Sequence, residues 1–153
     1  MKYKMLLGEF IKNATEIPEE GSILAIDWGT VRLGLAFSDA RRKIVIPLSI
    51  INNEEEKNTM DEIMKIIEEK DIKLVLIGMP HRTDGKSNKN IFRIEDFAAR
   101  LSIRTEIPIL FYNEMFTSKI AENRLIEAGK KTGKKDDISA SILLEGFIIA
   151  SKE

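Results

Sequence analysis

The chain has 153 residues, enough for one domain with a proper core and too few for two of ordinary size. Its 24 basic and 25 acidic residues leave a net charge of -1, so any nucleic-acid contact must rest on local patches rather than on overall charge. The absence of cysteine excludes disulfides and thiolate metal sites, and no run reaches the roughly 20 apolar residues of a membrane helix. The apolar run at the start is too short for a signal peptide. A cytoplasmic, membrane-free protein is expected.

Residues 1–21 are expected to form a surface appendage, with Met5, Leu6, Phe10 and Ile11 on one small helical face that Pro18 and Gly21 end. Ile23–Ile26 and Leu33–Phe37 then read as two strands joined by a tight connection carrying Gly29 and Thr30. Lys43–Ile51 is a third strand, placed at an edge by Pro47, which cannot donate to a ladder. Short turns make these three an antiparallel meander. Asn53 and Glu56 resemble a capping pair for a helix on which Met60, Ile63, Met64, Ile66 and Ile67 recur at helical spacing.

The continuous apolar run Lys73–Gly78 marks a strand covered on both faces. After the loop 79–86, Ile91, Ile94, Ala98 and Leu101 trace a second helix, and Pro108–Tyr112 form a fifth strand. A helix over 117–128 ends at Gly129, a basic loop follows, and the last helix is apolar nearly all round. The order β-β-β-α-β-α-β-α-α predicts an α/β domain over 22–153. Its five-stranded mixed sheet begins as an antiparallel meander, continues as βαβ units and carries helices on both faces. Sites in such sheets form outside the carboxyl ends of the central parallel strands.

Asp27 ends a greasy strand, where a carboxylate is costly unless a cation or donors meet its charge, and Gly29 lets a ligand approach it. Glu114 follows the fifth strand at once, and Asp136 or Asp137 opens the last helix. Three converging carboxylates would suit Mg²⁺ or Mn²⁺, ions completed by water and substrate phosphates. Basic residues are expected in loops around that end: Arg41, Arg42 and Lys43; Arg82, Lys86, Lys89 and Arg93; Lys130, Lys131, Lys134 and Lys135. Such clusters supply phosphate contacts. With His81 the only histidine, a histidine zinc site or a Ser-His-Asp hydrolase is disfavoured. The Gly129–Lys135 stretch does not fit the phosphate-loop spacing.

These residues resemble the YqgF family, ribonuclease H-like nucleases also described as Holliday junction resolvases. Asp27-Trp28-Gly29-Thr30-Val31-Arg32-Leu33-Gly34-Leu35-Ala36-Phe37-Ser38-Asp39 is similar to the family's opening motif. Gly78-Met79-Pro80 with Asp84-Gly85, Asn113-Glu114-Met115-Phe116-Thr117-Ser118, and Asp136-Asp137-Ile138-Ser139-Ala140 are similar to its later motifs, in order. The resemblance covers about residues 22–150. It implies a ribonuclease H-like fold and a Mg²⁺ (or Mn²⁺) nuclease with Asp27, Glu114 and Asp136 as catalytic and metal-binding acids. It also implies a role in processing the small-subunit ribosomal RNA precursor and makes Arg32 a further nucleic-acid contact. Asn113 and Met115 depart from the family, which usually has Asp and Arg there.

RNA is the favoured substrate and a four-way DNA junction the alternative; a monomer or a homodimer is compatible with the sequence, and a resolvase would act as a symmetric pair. Two further functions are open. A phosphotransferase of the actin–hexokinase kind also has an Asp-x-Gly-Thr hairpin, but needs a second such domain. A non-catalytic nucleic-acid-binding scaffold is consistent with Asn113 and Met115.

Overall fold

Long apolar strands flanked by amphipathic helices can bury both faces of a sheet only by sandwiching it, and a computed structural model of the chain shows that arrangement. It describes residues 10–12, 17–80, 88–113 and 135–152, with side chains over 17–80, 90–112 and 138–152. The strands are β1 (Phe10–Lys12), β2 (Ser22–Asp27), β3 (Arg32–Ser38), β4 (Val45–Pro47), β5 (Ile51–Asn52), β6 (Ile72–Met79) and β7 (Ile109–Asn113). The helices are α1 (Glu56–Glu69), α2 (Asn88–Arg104) and α3 (Lys135–Ser151).

The strands lie in the order β1-β7-β6-β2-β3-β4, with β5 pairing β3 beside β4. β2 is parallel to β6, and β6 to β7; the β2–β3, β3–β4, β3–β5 and β1–β7 pairs are antiparallel. The mixed sheet, its opening meander and the helices on both faces are as expected. Among the described residues the sheet has seven strands instead of five. The expected third strand is two short ones, β4 and β5, separated after Pro47. Phe10–Lys12 is a strand rather than part of a helical face, because β7 offers it an open edge; Met5 and Leu6 lie outside the described residues.

Pleating sends alternate residues to opposite faces. Leu24 and Ile26 of β2 pack with Ile63 and Ile67 of α1 and with Ile94, Phe97 and Leu101 of α2. Ile23 and Ala25 pack with Leu143, Leu144 and Phe147 of α3. Phe147 meets Tyr112 edge to face at 5.7 Å between ring centres. β6 is buried along nearly its whole length because both clusters claim it, the reason its sequence shows no alternation. Ile17, before β2, is buried in the α3 cluster.

Helix α1 starts at Glu56 with Glu55 at its N-cap and no side-chain cap hydrogen bond. The capping pair expected of Asn53 and Glu56 therefore does not form; Asn53 points elsewhere, as described below. At the other end of β3, the turn into β4 is held by Asp39. Its Oδ1 accepts the amides of Lys43 (2.7 Å) and Ile44 (2.8 Å). The Ile44 N–H first, then that of Lys43, holds the Asp39 carboxyl below the usual carboxylate range against a smaller opposing effect of burial.

Candidate active site

Strand direction sorts the charged residues between the two ends of the sheet. Ile26 is level with Ile77, and Gly78 with Tyr112, so β2, β6 and β7 finish along one edge. Asp27 stands there, half-buried, paired across β2–β3 with Gly34. By pleat alternation it shares the α3 face with Ile23 and Ala25. Asn113 ends β7 on the same edge; two strand spacings put it about 10 Å from β2. Glu114, the next residue, lies outside the described residues. Asp136 is the second residue of α3, the helix packed over the Asp27 face, and its side chain is outside the described set. Among the described residues no three acidic or histidine side chains come together.

The connection from β2 to β3 is unusually tight. A Cβ placed on Gly29 would lie 2.5 Å from the Arg32 carbonyl oxygen, so only glycine fits. Asp27, Trp28, Gly29, Thr30, Val31, Arg32 and Gly34 line an open, mostly polar cleft of about 270 Å³. Trp28 turns to the other face and packs against the α1–α2 core, its ring 6.5 Å from that of Phe97. Val31 is 59% exposed at the lip. Asp27 and Arg32 are thus two of the expected site residues that the fold brings together.

Arg41 and Arg42 lie at the opposite end. In an antiparallel hairpin the turn after β3 returns to the start of β2, and Gly21 N–H donates to Ala40 O there (3.0 Å). The length of β2 separates that turn from Asp27 by about 17 Å. Arg42 is only 7% exposed, and its guanidinium donates to Gly21 O (2.9 Å) and Glu20 O (3.2 Å). Arg42, expected as a nucleic-acid contact, thus gives two of its donors to the chain's own carbonyls, at the end of the sheet away from Asp27. The meander itself contained the signal, because successive turns alternate between the ends of a sheet. A larger cleft of about 1000 Å³ opens at this end, where Arg41, Lys43 and Lys73 are interspersed with Glu19, Glu20, Asp71 and Glu106. Its size does not make it the reaction site, since charges of both signs offset there and Lys73 pairs with Asp71 at 3.0 Å. Arg82, Lys86, Lys130, Lys131 and Lys134 lie outside the described residues, and Lys135 opens α3 with its side chain undescribed.

A hairpin-opened mixed sheet with helices on both faces recurs in solved structures. RuvC from T. thermophilus in complex with a Holliday junction substrate superposes with a TM-score of 0.60 at 12% identity, covering 86% of this chain and 95% of that one. The yeast mitochondrial Holliday junction resolvase gives 0.54 at 12% identity, covering 90% and 82%. Likeness at this identity concerns the fold alone, and that fold is ribonuclease H-like. Sequence comparison goes further: the model of the family described as "RuvX: Holliday junction resolvase" matches residues 21–150. A relative from Maridesulfovibrio salexigens, provisionally named a pre-16S rRNA nuclease, is 32% identical over 130 residues, 82% of this chain and 96% of its own. One of the same provisional name from Malacoplasma penetrans is 34% identical over 137 residues, 85% and 95% of the two chains. The chain belongs to the RuvX family of nucleases.

Proposed function

We propose that this chain is a divalent-metal-dependent endonuclease that cuts RNA phosphodiesters in 5′-end processing of pre-16S rRNA, in the cytoplasm. The observation that carries the reading is Asp27, an acid at the carboxyl edge of the central strands, facing a cleft made by its own glycine-pinned loop. The provisional names of the relatives supply the substrate. Residues 22–153 form the proposed nuclease unit, close to the family match at 21–150, with 1–21 as an appendage that lends β1 to the sheet.

The donor chemistry fits a hard cation. Carboxylate oxygens are the ligands Mg²⁺ and Mn²⁺ prefer, and the cleft beside Asp27 has room for an ion that keeps several waters, at about 30 Å³ per water. Asp27 would hold it together with Glu114 and Asp136. Such an ion supplies charge neutralisation at the scissile phosphate and lowers the pKa of an attacking water. The chain's own contribution is placement. Asp27 fixes one ligand on a rigid strand end, the narrow Gly29 loop lets the phosphate backbone come close, and Arg32 offers it a cation. Arg82, Lys86 and the lysines at 130, 131, 134 and 135 are proposed to extend the phosphate track.

One specific observation favours a second substrate, a four-way DNA junction: the fold is shared with RuvC bound to such a junction. A monomer suffices for cutting RNA once, whereas a junction would call for a symmetric pair. Mg²⁺-dependent cleavage of a pre-16S fragment and of a synthetic junction, with Asp27→Asn as control, tests both. The RNA fragment is expected to be cut faster, and the variant to lose at least on the order of 100-fold. Equal cleavage by the variant would overturn the assignment of Asp27.

A further inference from the structure

The cleft beside Asp27 is built from one loop, and something outside the cleft holds that loop. Asn53 lies between β5 and α1, where the sequence suggests a helix cap that does not form. Instead its backbone N–H donates to Val31 O at 2.8 Å, and its side-chain Nδ2–H donates to Gly29 O at 2.7 Å. The backbone bond continues the β3–β5 ladder, in which Arg32 faces Asn52, by one step onto the loop. The side-chain bond reaches two residues further toward Asp27. Two alternate carbonyls of a four-residue connection are thereby fixed by one residue from a remote part of the chain.

The loop is also closely folded on itself, since a Cβ on Gly29 would lie 2.5 Å from the Arg32 carbonyl oxygen. A loop this tightly folded and tied twice to Asn53 keeps the strand end carrying Asp27, and the Arg32 that follows, in one relative position. Asn53 is absent from the residues that line the cleft.

We propose that Asn53 is a positioning residue for the reaction site: its amide clamps Gly29 so that the Asp27 carboxylate and Arg32 are held ready for cation and phosphate. Its bearing on catalysis rests on the nuclease reading above, whereas the clamp itself does not. Supporting partners of metal ligands typically change metal affinity or activity by about 10–100-fold when removed. Alanine at position 53 removes the donor. Aspartate replaces it with a carboxylate facing the Gly29 carbonyl, and becomes a donor again only when protonated, below about pH 4.

The test uses Asn53→Ala, Asn53→Asp and, as control, Asn58→Ala. The Asn58 side chain donates to its near neighbour Glu55 (2.8 Å), and among the described residues it makes no hydrogen bond to the loop. Trp28 is the single tryptophan of the chain and sits in the loop, so its emission and its quenching by acrylamide report loop order without metal or substrate. Both Asn53 variants are expected to show red-shifted, more readily quenched Trp28, with the aspartate variant recovering toward wild type at acid pH. Mn²⁺ alone, titrated calorimetrically, should bind about tenfold more weakly, and kcat should fall by a similar factor with KM unchanged. Asn58→Ala should match wild type throughout.

Trp28 emission and quenching in both Asn53 variants indistinguishable from Asn58→Ala would overturn the clamp. A Trp28 change with Mn²⁺ affinity and kcat unaltered would overturn its role in positioning. If wild type itself neither binds Mn²⁺ nor cuts nucleic acid, the nuclease reading fails, and the Trp28 comparison still decides whether Asn53 clamps the loop.

Discussion

Replacing Gly29 by alanine adds one methyl group where the fold has no room. The new Cβ would sit 2.5 Å from the Arg32 carbonyl oxygen, against 3.4 Å for an ordinary contact, so about 0.9 Å must be found. The obstacle is backbone, and that backbone opens β3, so it cannot swing aside as a side-chain tip would. Overpacking of this kind costs about 1–3 kcal/mol. For a chain of this length each kcal/mol lowers the melting temperature by about 2–4 °C, so a fall of roughly 4–8 °C is expected for a cost near 2 kcal/mol. The functional loss should be larger, because a misplacement of about 1 Å at a reacting centre costs on the order of 100-fold in rate. Melting curves and cleavage of the pre-16S fragment measure the two effects, and Trp28 emission reports the state of the loop. A Gly29→Ala protein that melts, fluoresces and cleaves like wild type would refute the reasoning about the loop.

Two further predictions concern parts of the molecule away from that loop. Arg42→Ala leaves the Gly21 and Glu20 carbonyls without their charged donor and should cost about 2–3 kcal/mol in stability. Nucleic-acid affinity and its salt slope should not change; a shallower slope would return Arg42 to the binding surface. Burial raises the Tyr112 phenol to about 12. Of the two tyrosines, Tyr112 should therefore ionise well after a phenol of ordinary pKa in an absorbance titration. Since the folded pKa lies above the unfolded value, the folded state holds the proton that the unfolded state gives up between about pH 10 and 12. Stability is thus lost as pH rises through that window, by about 2–3 kcal/mol. Titration of Tyr112 near pH 10 in the folded protein would contradict its burial against Phe147.

Much of this architecture is legible in the residues, for identifiable reasons. The buried strand β6 has an unbroken apolar run, α1 and α2 repeat at helical spacing, and α3 is apolar nearly all round, with β2, β3 and β4 beneath it. Asp27 is conspicuous because an acid at the end of such a run demands a reason. What sequence concealed depends on distant partners. Phe10–Lys12 is too short to signal a strand and becomes one only beside β7. Asn53 has the composition of a cap, yet its donors serve a loop 24 residues earlier. Arg41 and Arg42 follow Asp27 closely along the chain, and β3 carries them to the far end of the sheet.

The proposed chemistry requires Asp27 to be a cation ligand shared with Glu114 and Asp136. A crystal structure of the protein soaked in Mg²⁺ tests it directly, with Asp27→Asn crystals treated alike. An ion about 2.1 Å from an Asp27 carboxylate oxygen, also touching Glu114 and Asp136 and missing from the variant, is the predicted result. Carboxylates of these three residues that point to separate parts of the surface, with no ion at Asp27, would contradict it.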